Sequence, residues 1–172
     1  MSENLYRLIR DVPDFPKPGI LFRDITPLLL DPQALSEAIR ALSQPLAGLG
    51  ATRIAAIESR GFLLGAPVAM ALGLGLAIIR KPGKLPSNCH RFDYDLEYGS
   101  DALEMHVDSL GPDDRAIIID DVLATGGTAA AAGKLVEKTG AKVAGYGFLI
   151  ELAGLGGRAR LGGAPVHAVL KY

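Results

Sequence analysis

Four short apolar runs stand out along the chain, and each meets charge at its C-terminal end. They are RIAAIE (Arg53 to Glu58), LAIIR (Leu76 to Arg80), AIIIDD (Ala116 to Asp121) and VAGYGFLIEL (Val143 to Leu152). None alternates apolar with polar. Continuous runs of this length fit strands buried on both faces. Between them lie helical patterns. Asp31-Pro32 reads as an N-cap followed by proline in the first turn, with Leu35, Ala38, Ile39 and Leu42 on one helix face. Gly61 to Leu72 and the Ala-rich Thr128 to Lys138 read as further helices. PVHAVLKY (Pro165 to Tyr172) predicts a last strand, and the first dozen residues a short amphipathic helix. Strands alternating with helices imply a parallel sheet flanked by helices, with ligands bound beyond the carboxyl ends of its strands. Glu58, Arg80, Asp120, Asp121 and Glu151 all fall at such ends.

One stretch breaks the alternation. Lys81 to Gly99 is polar, holds Pro82, Gly83 and Pro86, and shows no clear period, so a long functional loop is expected there. DALEMHVD (Asp101 to Asp108) reads as an antiparallel strand returning from it. With no linker or repeat, the 172 residues are expected to form one domain.

Composition narrows the classes. The net charge of −1 gives no general attraction for nucleic acid or anionic membrane, so neither is an expected partner. A single cysteine, Cys89, excludes an internal disulfide and points to a cytoplasmic setting. Gly61 to Ile79 carries no charge until Arg80, but Pro67 and Gly73-Leu74-Gly75 divide it into a helix, a turn and a strand instead of a membrane span. Cys89 and the three histidines lack metal-ligand spacing and read as incidental.

The candidate chemistry lies in AIIIDDVLATGGTAAAAGKL (Ala116 to Leu135). Thr125-Gly126-Gly127-Thr128 turns a strand into a helix. Its glycines admit a ligand close to the backbone, and its N–H groups with the positive end of the helix suit a phosphate. It is no Walker A loop: Gly133-Lys134 comes one residue too late and Leu135 replaces Ser or Thr. Asp120 and Asp121 add acceptors for vicinal hydroxyls and oxygen ligands for Mg²⁺. A ribose 5-phosphate would fit both halves, with its phosphate in the loop and its hydroxyls at the carboxylates.

IIIDDVLATGGT resembles the 5-phosphoribosyl-1-pyrophosphate (PRPP) signature of type I phosphoribosyltransferases. DFPKPGILFRDITPLL, ESRGF, RKPGKLP, YDLEYGSDALE and ELAGLGGRARL are similar, in order and spacing, to segments of the adenine-specific branch of that family. The likeness covers nearly the whole chain. It implies a central parallel sheet flanked by helices, a small N-terminal hood from about residues 1–30, and a flexible lid loop over 81–99. The reaction implied is adenine plus PRPP giving AMP and pyrophosphate, in purine salvage, with Mg²⁺ carried on PRPP and possible contact to Asp120 and Asp121. A homodimer is implied as well.

By the same resemblance, Ala124, Thr125, Gly126, Gly127 and Thr128 hold the 5-phosphate, and Asp120 with Asp121 faces the ribose. Arg60, Arg80, Lys81 and Lys84 serve the pyrophosphate, one of the basic residues reaching across a dimer interface. Leu21 and Arg23 read the adenine edge through backbone groups, while Phe22 and Leu152 sandwich the ring. Glu97 maps onto the general acid/base for the imidazole proton and Tyr98 onto its neighbour. Two other functions remain open at this point: transfer to another purine, such as xanthine or hypoxanthine-guanine, and non-catalytic sensing of PRPP.

Overall fold

The computed structural model describes residues 2–96 and 99–172. In chain order the elements are α1 (Ser2–Arg7), β1 (Arg10–Pro13), β2 (Leu21–Asp24), α2 (Thr26–Leu30), α3 (Pro32–Leu46), β3 (Arg53–Ile57), α4 (Arg60–Leu72), β4 (Gly75–Ile79), β5 (Cys89–Leu96), β6 (Gly99–His106), β7 (Arg115–Leu123), α5 (Gly127–Lys138), β8 (Lys142–Glu151) and β9 (Val166–Lys171). Asp31 caps α3 as its sequence predicts, its side chain accepting from the Ala34 N–H at 2.9 Å. Gly73, in the left-handed region at φ +66°, closes α4 before the chain re-enters the sheet.

The four apolar runs and the C-terminal strand form one sheet in the order β4-β3-β7-β8-β9, parallel throughout. The apolar runs now have a reason. Ile54 of β3 and Ile117 and Ile119 of β7 face one layer, with Leu42, Leu64 and Val68 from α3 and α4. Ala55, Ile57 and Ile118 face the other layer, with Leu135 and Val136 from α5. Both faces are covered, so both parities must be apolar. The uncharged Gly61 to Ile79 segment is the end of this α4-to-β4 crossover, and no helix among the described residues is long and apolar enough to cross a membrane.

Two small antiparallel ribbons stand apart from the main sheet. The first pairs β1 with β2 in the N-terminal region, with Val12 opposite Phe22. The second corrects the expected long loop. Among the described residues of that stretch, only the segment before Cys89 lacks regular structure, because β5 pairs with β6 in full register from Cys89↔His106 to Leu96↔Gly99. Phe92 and Tyr94 turn to the core beside α5, and the Lys138 ammonium lies 5.4 Å over the Phe92 ring. The ribbon is anchored to the second layer by those aromatic residues.

Candidate active site

The carboxyl ends of β3, β7 and β8 open into a cavity of about 600 Å³, within the range of small-molecule sites. Leu21, Phe22, Arg23 and Leu152 line it together with Arg60, Lys81, Asp120, Asp121, Ala124 and Thr128. Residues far apart in sequence therefore meet where the strand pattern placed the site. Thr125, Gly126 and Gly127 continue the loop behind Ala124 and Thr128 without lining the cavity, and Arg80 and Lys84 lie outside its lining. Glu97 and Tyr98 lie outside the described residues.

The two carboxylates are held differently. Asp120 accepts the Asp121 N–H through Oδ1 at 2.8 Å. Its neighbour in space is Gly61 of α4: a Cβ there would come within 3.0 Å of Asp120 Oδ1 and of the Ile119 carbonyl. The glycine of ESRGF thus lets the helix start press against the acid. Loss of solvent pushes the Asp120 carboxyl well above the usual range, and the adjacent Asp121 charge pushes the same way, while Arg60 opposes both. Asp121 is buried, and its Oδ2 lies 2.5 Å from Arg60 Nε as an ion pair. That contact is not aligned as a hydrogen bond, which leaves Oδ2 without a donor. Arg60 also stands over the Phe22 ring at 4.9 Å.

After β7, Gly126 takes φ +83° as the N-cap of α5, and its carbonyl accepts the Ala130 N–H at 2.9 Å. A side chain here is barred twice. Besides the positive φ, a Cβ would stand 2.4 Å from the Gly157 carbonyl oxygen. The reverse contact is as tight, since a Cβ on Gly157 would meet the Ala124 carbonyl at 2.3 Å. The segment Gly157–Arg160, a short 3₁₀ turn, is therefore the outer wall of the phosphate-type loop. Arg158 fixes that wall with hydrogen bonds to both Glu151 oxygens, at 2.5 and 2.7 Å, and to the Val166 carbonyl at 2.7 Å. Glu151, singled out as a strand-end acid, is thus a buried partner of Arg158 and does not line the cavity. The first N–H groups of α5 have no partners within the helix and face outward with its positive end.

The basic segment after β4 is organised by acids. Glu58 Oε2 accepts from Arg80 Nε at 2.8 Å and from the Lys81 N–H at 2.9 Å. Arg80 Nη1 donates to the Lys84 carbonyl at 3.0 Å, and the Gly83 N–H donates to Glu104 at 2.9 Å. The Lys81 ammonium pairs with Asp101 on β6. Burial is the largest single influence and would lower the Lys81 pKa, but Asp101 and Tyr94 together outweigh it and the net direction is up. Burial likewise works to raise Asp101, yet Lys81 and the Ala102 N–H bring it below the ordinary range. Tyr94 joins this pair, its hydroxyl 3.2 Å from Asp101 Oδ2 and 3.3 Å from Thr128 Oγ1.

Asp101 and Tyr94 were not singled out from sequence, nor was the organising role of Glu58. The usable signal was the period-2 alternation of Arg91, Phe92, Asp93 and Tyr94, which predicts a strand and places Tyr94 on the same face as Phe92.

In the hood, Phe22 makes an edge contact with Phe15, ring centroids 5.1 Å apart. The Arg23 guanidinium lies 3.9 Å over the Tyr172 ring and is ion-paired with Asp11. With its side chain so engaged, Arg23 has only its backbone to offer a ligand. Leu152 also lines the cavity, its N–H held by the Leu123 carbonyl at 2.9 Å.

The family model described as "Phosphoribosyl transferase domain" matches residues 29–159. A curated adenine phosphoribosyltransferase from Methylococcus capsulatus is 56% identical over 170 residues, covering 99% of each chain. The crystal structure of adenine phosphoribosyltransferase from Rhodothermus marinus superposes with a TM-score of 0.95 at 52% identity, covering 99% of this chain and 98% of that one. The Saccharomyces cerevisiae enzyme, solved in complex with adenine and an imino-altritol bisphosphate, has a TM-score of 0.91 at 40% identity and 98% coverage of both chains. Sequence, fold and the placement of the strand-end cavity agree, and the chain belongs to the adenine phosphoribosyltransferase family.

Proposed function

We propose that this chain, read as one phosphoribosyltransferase unit over 1–172, transfers the 5-phosphoribosyl group from PRPP to adenine, releasing AMP and pyrophosphate for purine salvage. The observation that carries the reading is that one cavity is lined by the apolar Phe22 and Leu152 together with Asp120, Asp121 and Thr128. A flat base and a phosphorylated pentose can occupy it together.

Each residue then has a task. Phe22 and Leu152 sandwich the adenine ring, and backbone groups of Leu21 and Arg23 read its edge. The N–H groups of Ala124 to Thr128 hold the 5-phosphate. Asp120 and Asp121 accept hydrogen bonds from the ribose hydroxyls and stabilise positive charge developing on the ring. Arg60 and Lys81 face the cavity and receive the pyrophosphate, exchanging Asp121 and Asp101 for phosphate oxygens. Arg80 and Lys84 serve the same group once released from the Glu58-centred turn. Glu97, with Tyr98 beside it, accepts the imidazole proton as the purine nitrogen attacks the anomeric carbon.

The residues also fit Mg²⁺. Asp121 Oδ2 is buried without an aligned donor, and the Asp120 carboxyl is adjacent; oxygen donors of this kind suit the ion. Among the described residues no group of three His, Cys, Asp or Glu is placed to hold a metal, so substrate oxygens would complete the set. When bound, Mg²⁺ supplies charge that offsets the departing pyrophosphate.

A homodimer belongs to the same reading. Leu63 and Met70, seven residues apart on α4, are 51% and 83% exposed, and Leu76 lies nearby on the edge strand β4. Apolar positions on one face suit a second copy of the chain. A cytoplasmic location fits the lone cysteine.

The test is incubation with PRPP, Mg²⁺ and each purine in turn. AMP from adenine alone is the expected result. Turnover of xanthine, hypoxanthine or guanine in preference would reassign the base, and PRPP binding without turnover would favour a sensor. Glu97→Gln should lower kcat by roughly 10²-fold or more with little change in PRPP affinity; unchanged turnover would remove Glu97 from the chemistry.

A further inference from the structure

The phosphate-type loop is built from neutral groups, yet the 5-phosphate it would hold is a dianion. Most basic side chains nearby are already engaged. Arg158 is fastened to Glu151, Lys134 to Glu137, Lys138 to the Arg91 carbonyl and Lys81 to Asp101. Arg160 is different. It is exposed, and its side chain makes no hydrogen bond or ion pair among the described residues. Its place is nonetheless defined by the backbone contact of Gly157 with Ala124 and Gly126. A Cβ placed on Gly127 would stand 3.9 Å from Arg160 Nη1, 3.9 Å from Thr125 Oγ1 and 3.9 Å from Tyr94 Cδ2. The guanidinium therefore reaches the second glycine of the loop from the outer wall, beside a threonine hydroxyl and next to the start of α5.

We infer that Arg160 is a substrate-positioning cation for the 5-phosphate end of the substrate. It rests on the proposed reaction and adds a residue to it. Arg158 braces the wall, and Arg160, two residues on, supplies that wall's charge. A guanidinium presents a planar fork of donors to phosphate oxygens and keeps its charge at any working pH. Placed behind neutral N–H donors, it strengthens their hold on a dianion without occupying the space of the phosphate.

The prediction separates ligands by the group they carry. Ribose 5-phosphate and AMP contain the 5-phosphate; pyrophosphate does not. Calorimetric titration of Arg160→Gln should show ribose 5-phosphate and AMP weakened about ten-fold, with pyrophosphate affinity unchanged and the melting temperature within a degree or two of the parent. Arg160→Lys should keep most of the affinity, and added salt should narrow the gap between parent and Arg160→Gln. Equal weakening of all three ligands would reduce Arg160 to a structural role, and no weakening of any would remove it from the site. If the parent protein itself ignores ribose 5-phosphate, the proposed function fails at the loop, a result distinct from any change made at Arg160.

Discussion

The two ends of the cleft solve one problem, holding phosphate, by opposite means. After β7 the chain uses geometry: a left-handed glycine, a backbone contact with Gly157 and the free N–H groups of α5. After β3 and β4 it uses charge, and that charge is already matched. Arg60 sits on Asp121, Lys81 on Asp101 and Arg80 on Glu58. A phosphate entering the glycine loop meets donors without partners to displace. A pyrophosphate entering the other end must replace existing carboxylates. The first end is therefore ready before the ligand arrives, and the second is a set of exchanges. This suits a reaction in which one phosphate stays with the sugar while the other group must leave.

Breaking the geometric end should have the largest effect. Gly126→Ala places a methyl at a positive φ and 2.4 Å from a backbone oxygen that cannot swing away. The loop must shift, at a cost of order 1–3 kcal/mol, and ribose 5-phosphate affinity should fall about 100-fold while pyrophosphate binding is retained. Calorimetry with both ligands checks this, and an intact ribose 5-phosphate affinity would show that side chains, not backbone, hold the phosphate.

Asp120→Asn probes the join between the two ends, where function and stability pull apart. The folded state raises the Asp120 pKa, so it holds that proton more tightly than the unfolded chain does. The group's stabilising contribution is complete below the ordinary carboxylate range and is lost as pH rises through the raised value. At neutral pH the charged form is a cost that asparagine removes, while Asn Oδ1 can still accept the Asp121 N–H. We expect kcat/KM to fall roughly 10- to 100-fold while Tm rises about 2–4 °C, the shift that about 1 kcal/mol gives in a domain of this size. The Tm gain should disappear in melts near pH 4. A Tm that drops at neutral pH would mean that Asp120 is held by favourable contacts.

Asp101→Asn sharpens the exchange at the charged end, with the smallest effect. Removing its charge frees the Lys81 ammonium and leaves burial as the main influence, so the Lys81 pKa should fall. Pyrophosphate binding below that pKa should tighten about three-fold, since screened, half-exposed ion pairs are worth about 1 kcal/mol or less. Its alkaline limit should move to lower pH. Weaker binding at every pH would instead make Asp101 a support that holds Lys81 in place.

Legibility in the sequence followed the range of the interactions. The sheet strands were readable because burial on both faces demands apolar residues at both parities, and α3 because Asp31 and Pro32 are local signals. The Asp120-Asp121 pair and the glycine loop were readable because one strand–loop–helix unit carries them. β6 was readable as a returning antiparallel strand, but its partner β5 was misread as loop, since the irregular run before Cys89 obscured the alternation from Arg91 onward. Roles for Phe22, Leu152, Arg60 and Glu97 came only through resemblance.

By itself, the order of apolar runs and glycines determined a parallel sheet with an anion-binding turn at its carboxyl edge, because backbone conformation and burial are set by neighbours in sequence. Which charges neutralise one another was decided only by the tertiary structure. Lys81 met Asp101, Arg158 met Glu151, and Arg160 was left beside Gly127 because packing of separate segments set distances that no spacing along the chain encodes.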